Sequence, residues 1–361
     1  MNEFKFPLYA KTAFILISIC ILMILLNLGQ SIILPFAFAI ILMILLDPVN
    51  QFFQRKKFPA LLAITMTVVC AILIVGLIFY FIITQLSSIS EAFPQFKVKI
   101  LSLITVLQHW LENKFNVSTD KQMGYVKQAG QNLFESGGAI LTTGFSALTG
   151  ILVVLTILPV YVFVLLIYKS LFVNFLIQVF SQSNKENTNT VKDILKQIKL
   201  VIQSYLVGLL IEASIVAFLN SIGLLLLGID YAILLGVLGA ILNIIPYIGG
   251  LVAITLPLLI ALATKDGIGY PIGVLIVYLV IQFLDNNIIV PKVVASKVQI
   301  NAVISILAVL VGGALAGVAG MFLSIPFVAI LKVIFDKVDS LKPWGTLLGD
   351  SLPEQSGRKF N

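Results

Sequence analysis

The chain has 361 residues, of which 60% are hydrophobic and 11% charged, with a net charge of +7 and a mean hydropathy of +1.10. Soluble domains carry roughly 45–50% apolar and about 25% charged residues, so the balance excludes one and indicates an all-α, polytopic integral membrane protein. The positive charge does not point to nucleic acid, because Lys and Arg fall between apolar runs and form no basic stripe or base-stacking motif.

In chain order, apolar runs of membrane-spanning character are expected at 12–28, 32–46, 60–83, 147–168, 200–227 and 270–290;. Residues 1–11 are too short and too weakly basic for a separate targeting peptide, and 12–28 lacks a convincing cleavage site, so that run reads as retained. Two further regions, 231–264 and 301–335, are too long for one crossing and short for two. Each has helix breakers near its middle, and each reads as a broken-helix hairpin, which brings the expected total to about eight membrane helices. The pattern divides the chain into N-terminal membrane helices (1–83), an extracytoplasmic helical loop domain (84–145) and a membrane helix (146–168). A cytoplasmic amphipathic segment (169–199), a C-terminal membrane core (200–335) and a cytoplasmic tail (336–361) follow. Most of the 23 basic residues then lie on one side, which places both termini in the cytoplasm.

Within the loop domain Phe93, Phe96, Ile100, Ile104, Leu107 and Leu111 recur at helical spacing. The lone His109 has no carboxylate or thiol partner in the pattern and reads as structural or solvent-facing. In the inner segment Val191, Ile194, Leu195 and Ile198 form an apolar face flanked by Lys192, Lys196 and Lys199. Two readings stand for it: a helix lying on an anionic leaflet, or one packed on the ends of the bundle. Cys20 and Cys70 read as small core residues, and no disulfide or zinc site is expected. The tail beyond Lys342 is polar, contains proline and is expected to be mobile.

Four constellations carry chemistry. Glu212 lies midway along a run otherwise almost free of charge, where an ionised carboxylate costs about 2.5–3.5 kcal/mol on insertion scales. Coupling, substrate binding and a structural hydrogen bond are the readings it allows. Asp285-Asn286-Asn287, with Gln282 one turn earlier, clusters oxygens suited to a hard cation or simply to a helix end meeting water; Pro291 is expected to end that helix. Asn243, Pro246, Tyr247, Gly249 and Gly250 interrupt a long apolar region. Backbone ends freed at such depth must be buried in protein or line a pathway. Gly312, Gly313, Gly317 and Gly320 have the spacing of close helix contact or of a flexible gate, and Pro326 is expected to break the segment that follows them. No phosphate-binding loop, nucleophilic triad or zinc-protease motif is present, so neither an enzyme nor a cofactor is expected.

In their order and spacing these landmarks are similar to those of the autoinducer-2 exporter family. The resemblance runs through Gln203-x-Tyr205-x-x-Gly208, Gly228-Ile229-Asp230-Tyr231 and the stretch from Asn243 to Gly249. It continues through Asp285-Asn286 with Pro291-Lys292, and Gly312-Gly313 with Gly317, Gly320 and Pro326. It implies about eight helices, cytoplasmic termini in a bacterial inner membrane, and a homo-oligomer. It also implies export of a small polar metabolite such as autoinducer-2 or, alternatively, Na⁺(Li⁺)/H⁺ antiport. Gln203, Tyr205 and Gly208 are carried as structural or gating positions. Two departures stand out: no proline lies near Asn301, so the entry to that hairpin is expected to differ, and Gly250 occupies a position often held by proline or another small residue. A third reading from a different class is a non-transporting membrane scaffold that binds partners through the loop and inner helix.

Overall fold

The computed structural model describes residues 7–115, 156–180, 185–245, 249–294 and 298–350. They are almost entirely helical: α1 (Leu8–Leu28), α2 (Gln30–Arg55), α3 (Ala60–Phe115), α4 (Thr156–Phe180), α5 (Lys185–Leu226), α6 (Ala232–Asn243), α7 (Gly249–Thr264), α8 (Gly269–Val293), α9 (Ala302–Lys337) and α10 (Lys342–Leu348). Among the described residues, six helices are long and apolar enough to cross a membrane, and the apolar parts of α1 (Thr12–Leu28), α6 and α7 are shorter. Large apolar side chains stay exposed along them, Leu226 at 83% and Phe283 at 64% among others. Water would penalise such a surface, whereas a lipid interior solvates it.

Several helices outrun their apolar stretches, because backbone hydrogen bonding continues where hydrophobicity stops. α3 passes residue 83 and runs unbroken to Phe115, 56 residues in all. α5 begins at Lys185 and is 42 residues long, so the basic amphipathic stretch is the opening of the helix that carries Glu212, and not a separate element. The beginning of the span expected at 147–168, and the loop beyond Phe115, lie outside the described residues. Cys20 is exposed and Cys70 half-buried; neither is a core residue, since each sits on an outward face of its apolar helix.

The chain forms two compact units by contact, Met1–Thr65 with Ile157–Leu206 and Ala295–Asn361, and Met66–Thr156 with Val207–Val294. In the first, α9 is two helices joined at Ala316 (φ −145°, ψ 25°) and Gly317 (φ 58°, ψ −145°), a positive-φ combination that side chains resist. Its arms, 302–315 and 318–337, fold back on each other. A Cβ added to Gly312 would lie 2.4 Å from the Gly320 carbonyl oxygen, and one on Gly320 2.0 Å from that of Gly312. Asn27 donates to the Leu315 carbonyl at 3.3 Å, beside the break.

Asn301 organises the entry to α9. Its side chain accepts from the Ile304 N–H at 2.9 Å as an N-cap and donates to the Leu347 carbonyl at 2.7 Å. The chain just past Lys342 is therefore folded, as α10 pinned to Asn301, and the expected mobility does not apply to it; residues 351–361 lie outside the described set. In the same unit Asp47, 2% exposed, accepts from Lys169 at 2.7 Å, from Lys199 and from Gln51 at 2.8 Å. This carboxylate ties α2 to α4 and α5.

The second unit packs the α6–α7 hairpin against α5 and α8 around Leu224, Leu234, Leu235, Ala261 and Val274. The chain turns from α5 into α6 through Gly228 (φ 67°) and Tyr231 (φ 59°). At rises of 1.5 Å per residue, α6 and α7 span about 18 and 24 Å, short of the roughly 30 Å of hydrocarbon.

Candidate functional site

Three helices of the second unit converge on one amide. Asn243 is the last residue of α6, placed there because the chain breaks before Gly249. Its Nδ2 donates to Glu212 Oε1 on α5 at 3.0 Å and to Asp285 Oδ2 on α8 at 2.8 Å. An amide nitrogen carries two hydrogens, and each is spent on one carboxylate. Glu212 is 3% exposed and Asp285 2%. Such charges are kept inside a fold only when hydrogen-bonded or neutralised, and Asn243 supplies the bonds.

Asp285 owes its position to an irregularity. Pro291 lacks an N–H, and in α geometry its ring would press on the carbonyl four residues back. The helix widens to π geometry over Asp285–Ile289 and then continues through Pro291 to Val293. The expectation that Pro291 ends the helix is thus corrected: the π turn takes up the misfit. Such turns recur at functional sites.

The glycines set how closely the elements approach. A Cβ on Gly249 would lie 2.0 Å from the Leu242 carbonyl oxygen, so α7 starts against the end of α6. One on Gly250 would lie 2.2 Å from Gln282 Oε1, and one on Gly208 2.6 Å from the Val293 carbonyl oxygen, which brings α5 against the end of α8. Gly250, Gln282, Asn243 and Asp285 line one small cavity.

Of the residues singled out in sequence, Glu212, Asn243, Asp285, Gly250 and Gln282 are brought together. The Asp285-Asn286-Asn287 cluster is not a single site: Asp285 is buried while Asn286 and Asn287 are exposed. Asn287 donates back to the Phe283 carbonyl of its own helix at 2.8 Å, as polar side chains on an outward helical face do. Pro246 and Tyr247 lie outside the described residues. Tyr205 is buried and Gln203 half-buried on α5 in the first unit, where Gly312, Gly313, Gly317, Gly320 and Pro326 belong to the α9 hairpin. The expected break at Pro326 is corrected: it is buried inside the arm 318–337, and α9 departs from helical dihedrals at Ala316 and Gly317 instead, since a packed apolar helix tolerates a proline's missing donor. Among the described residues no group of His, Cys, Asp and Glu assembles that could hold a metal ion.

Asn220 and Tyr278 went unnoticed in the sequence. Both are buried, at 2% and 5% exposure, and both line the cavity. Helical periodicity could have found them. Asn220 follows Glu212 at i+8 with Val216 between, and Tyr278, Gln282 and Asp285 stand at i, i+4 and i+7, each set on one face.

A bundle of apolar helices, with a broken hairpin delivering a polar side chain to two buried carboxylates, defines a multi-pass membrane protein of the transporter kind. The chain belongs to the AI-2E family of transporters, whose match covers residues 13–340. It is 26% identical over 336 residues to a Haemophilus influenzae protein named "Putative transport protein", covering 90% of this chain and 92% of that one. It is 26% identical to "Putative transport protein YueF" of Bacillus subtilis over 313 residues, covering 83% and 82%. It is 25% identical to the AI-2 transport protein TqsA of Escherichia coli over 326 residues, covering 89% and 90%.

Proposed function

We propose that this chain is a secondary transporter of the bacterial inner membrane that exports a small polar metabolite of the autoinducer-2 kind, with N- and C-termini in the cytoplasm, working as a homo-oligomer. The observation that carries the reading is the Asn243 bridge between Glu212 and Asp285. It places two carboxylates and the polar end of a broken helix at one buried point, an arrangement that anchoring a helix does not require. The name of TqsA supports the substrate class, and the alternation of basic residues along the sequence supports the topology. No phosphate-binding loop is present, so the driving force is a gradient or comes from another subunit.

The test is efflux of autoinducer-2 from proteoliposomes holding the full chain, side by side with Glu212→Gln. Export that depends on the protein and collapses in the variant supports the reading. Export unchanged in Glu212→Gln, with loss of a cellular phenotype only on deletion of the 84–145 loop, overturns it in favour of a scaffold.

A further inference from the structure

The cavity between α5, α6, α7 and α8 holds three polar atoms that the Asn243 bridge does not use. Asn220 Oδ1, Tyr278 Oη and Asp285 Oδ1 are buried and have no hydrogen-bond partner among the described residues. Their residues all line this cavity, and each is more than nine-tenths buried. Gly239 leaves room beside two of these side chains: a Cβ there would sit 3.1 Å from Tyr278 Oη and 3.3 Å from Asn220 Nδ2.

We propose that Asn220, Tyr278 and Asp285 hold a single water molecule and that this water loads and unloads a proton at Asp285 Oδ1. The proposal deepens the transport reading of the same site and rests on it. The hydrogen-bond count matches: two acceptors, Asp285 Oδ1 and Asn220 Oδ1, take the two hydrogens of one water, and the Tyr278 hydroxyl donates to its oxygen. Three bonds are the usual complement of a buried water. The size matches as well. The cavity offers about 10 Å³ to the centre of a water, and roughly 10–15 Å³ lodges one. A metabolite needs a cleft of roughly 300–1,000 Å³, and hard cations gather about six or more oxygens, twice what these residues supply.

The proton balance is simple. An O–H bond of hydronium breaks as the Asp285 Oδ1–H bond forms, and a positive and a negative charge become a neutral water and a neutral acid; release is the reverse. The titratable groups facing the water are few. Asp285 and Tyr278 come from α8 and Glu212 lies behind the Asn243 bridge on α5, while Gly239 and Asn243 of α6 and Gly250 and Ala253 of α7 carry none. Asp285 is therefore the group that exchanges protons with the water, and Glu212 senses the change through their shared amide. Asn220 and Tyr278 act as positioning residues.

Infrared difference spectra between pH steps, taken on the full chain in proteoliposomes, read this without any transported solute. The expected result is a protonated-carboxyl band, shifted in D₂O and absent in Asp285→Asn, together with a water O–H band that moves in H₂¹⁸O. Tyr278→Phe and Asn220→Leu, checked for intact folding by thermal melting, shift the midpoint of both bands by about one pH unit, a tenfold change in proton affinity, and weaken the water band. Exchanging Na⁺ for choline changes nothing. A carboxyl band that survives Asp285→Asn, the lack of an ¹⁸O-sensitive water band, or displacement of the proton by Na⁺ overturns the proposal. Intact bands in a protein that moves no metabolite would instead overturn the transport reading alone.

Discussion

The chain breaks apolar helix twice, after Asn243 and at Ala316–Gly317, and the two breaks are built differently. The second is a backbone solution. Gly317 supplies the positive φ, Gly312 and Gly320 let the arms touch, and Asn27 takes a carbonyl beside the break. The first ends on a side chain: Asn243 closes α6 and reaches two carboxylates on neighbouring helices. A helix interruption inside an apolar bundle therefore does not by itself mark chemistry. What marks it is a polar residue at the broken end whose hydrogens are spent on groups that would otherwise be stranded.

If that distinction holds, substitutions at the first break disable transport and those at the second loosen the fold. The largest effect is expected at Asn243. Asn243→Ala leaves Glu212 Oε1 and Asp285 Oδ2 buried without their shared donor, and removing one partner of a buried charged group costs about 3–5 kcal/mol. Efflux from proteoliposomes should fall to background, with a lower melting temperature. Asn243→Ala combined with Glu212→Gln and Asp285→Asn, which removes both charges, should recover much of the melting temperature and none of the efflux. Efflux near the unsubstituted level in Asn243→Ala breaks the comparison.

Next in size is Gly317→Ala. Holding a side chain in that conformation costs on the order of 1–3 kcal/mol, read as a lower melting temperature in lipid, with residual efflux per folded molecule close to normal. Gly312→Ala should behave alike, because its methyl would meet backbone and not a movable side chain;. A selective loss of efflux in either variant at unchanged stability would make the second hairpin a gate and erase the difference between the two.

Much of this was legible in the sequence because bilayer-scale constraints are blunt. Composition gives the class, apolar run length gives the spans, and glycines mark both breaks, with Pro246 beside the first. Glu212, Asn243 and Asp285 each stood out as polar residues in apolar surroundings, yet their meeting did not, since 31 and 42 residues separate Asn243 from its partners and only helix packing closes such gaps. Where helices end was harder to read. α3 and α5 extend beyond their apolar stretches, and Pro291 looked like a terminator because a proline's missing donor is visible in sequence while the compensating π turn is not. Asp47 escaped notice for a related reason. Next to Pro48 at the edge of an apolar run it resembles a boundary, and its lysine partners lie 122 and 152 residues away.

Pro291→Ala sharpens the comparison from the other side, because it alters the site with little cost to the fold. Alanine restores the missing donor and removes the ring, so α geometry can replace the π turn at Asp285–Ile289. The turn holds Asp285 in register with Asn243, and relaxing it rotates the carboxylate away. Efflux should drop several-fold, roughly 3- to 10-fold if about 1 kcal/mol of that alignment is lost, while the melting temperature holds or rises. Unchanged efflux would mean that Asp285 keeps its place without the π turn.

The smallest effect on efflux around the first break is expected at Gly250, one of two adjacent glycines at which the same substitution meets different obstacles. At Gly249 a new methyl meets the Leu242 carbonyl oxygen at 2.0 Å and the Asn243 Cα at 2.7 Å, both backbone. The turn must open, and a cost of about 1–3 kcal/mol follows. At Gly250 the methyl meets Gln282 Oε1 at 2.2 Å, the far end of a flexible side chain. Gln282 can swing aside, giving up its 3.3 Å hydrogen bond to Asn286, which lies on an exposed face and contributes about 0.5–1 kcal/mol at most. Gly250→Ala should therefore melt within a degree or two of the unsubstituted chain while Gly249→Ala melts clearly lower. Because Gln282 shares the cavity with Asp285, Gly250→Ala should still slow efflux by about twofold. Equal melting temperatures for the two variants would mean that α7 does not start against the end of α6, and the first break would lose the close seating on which Asn243 depends.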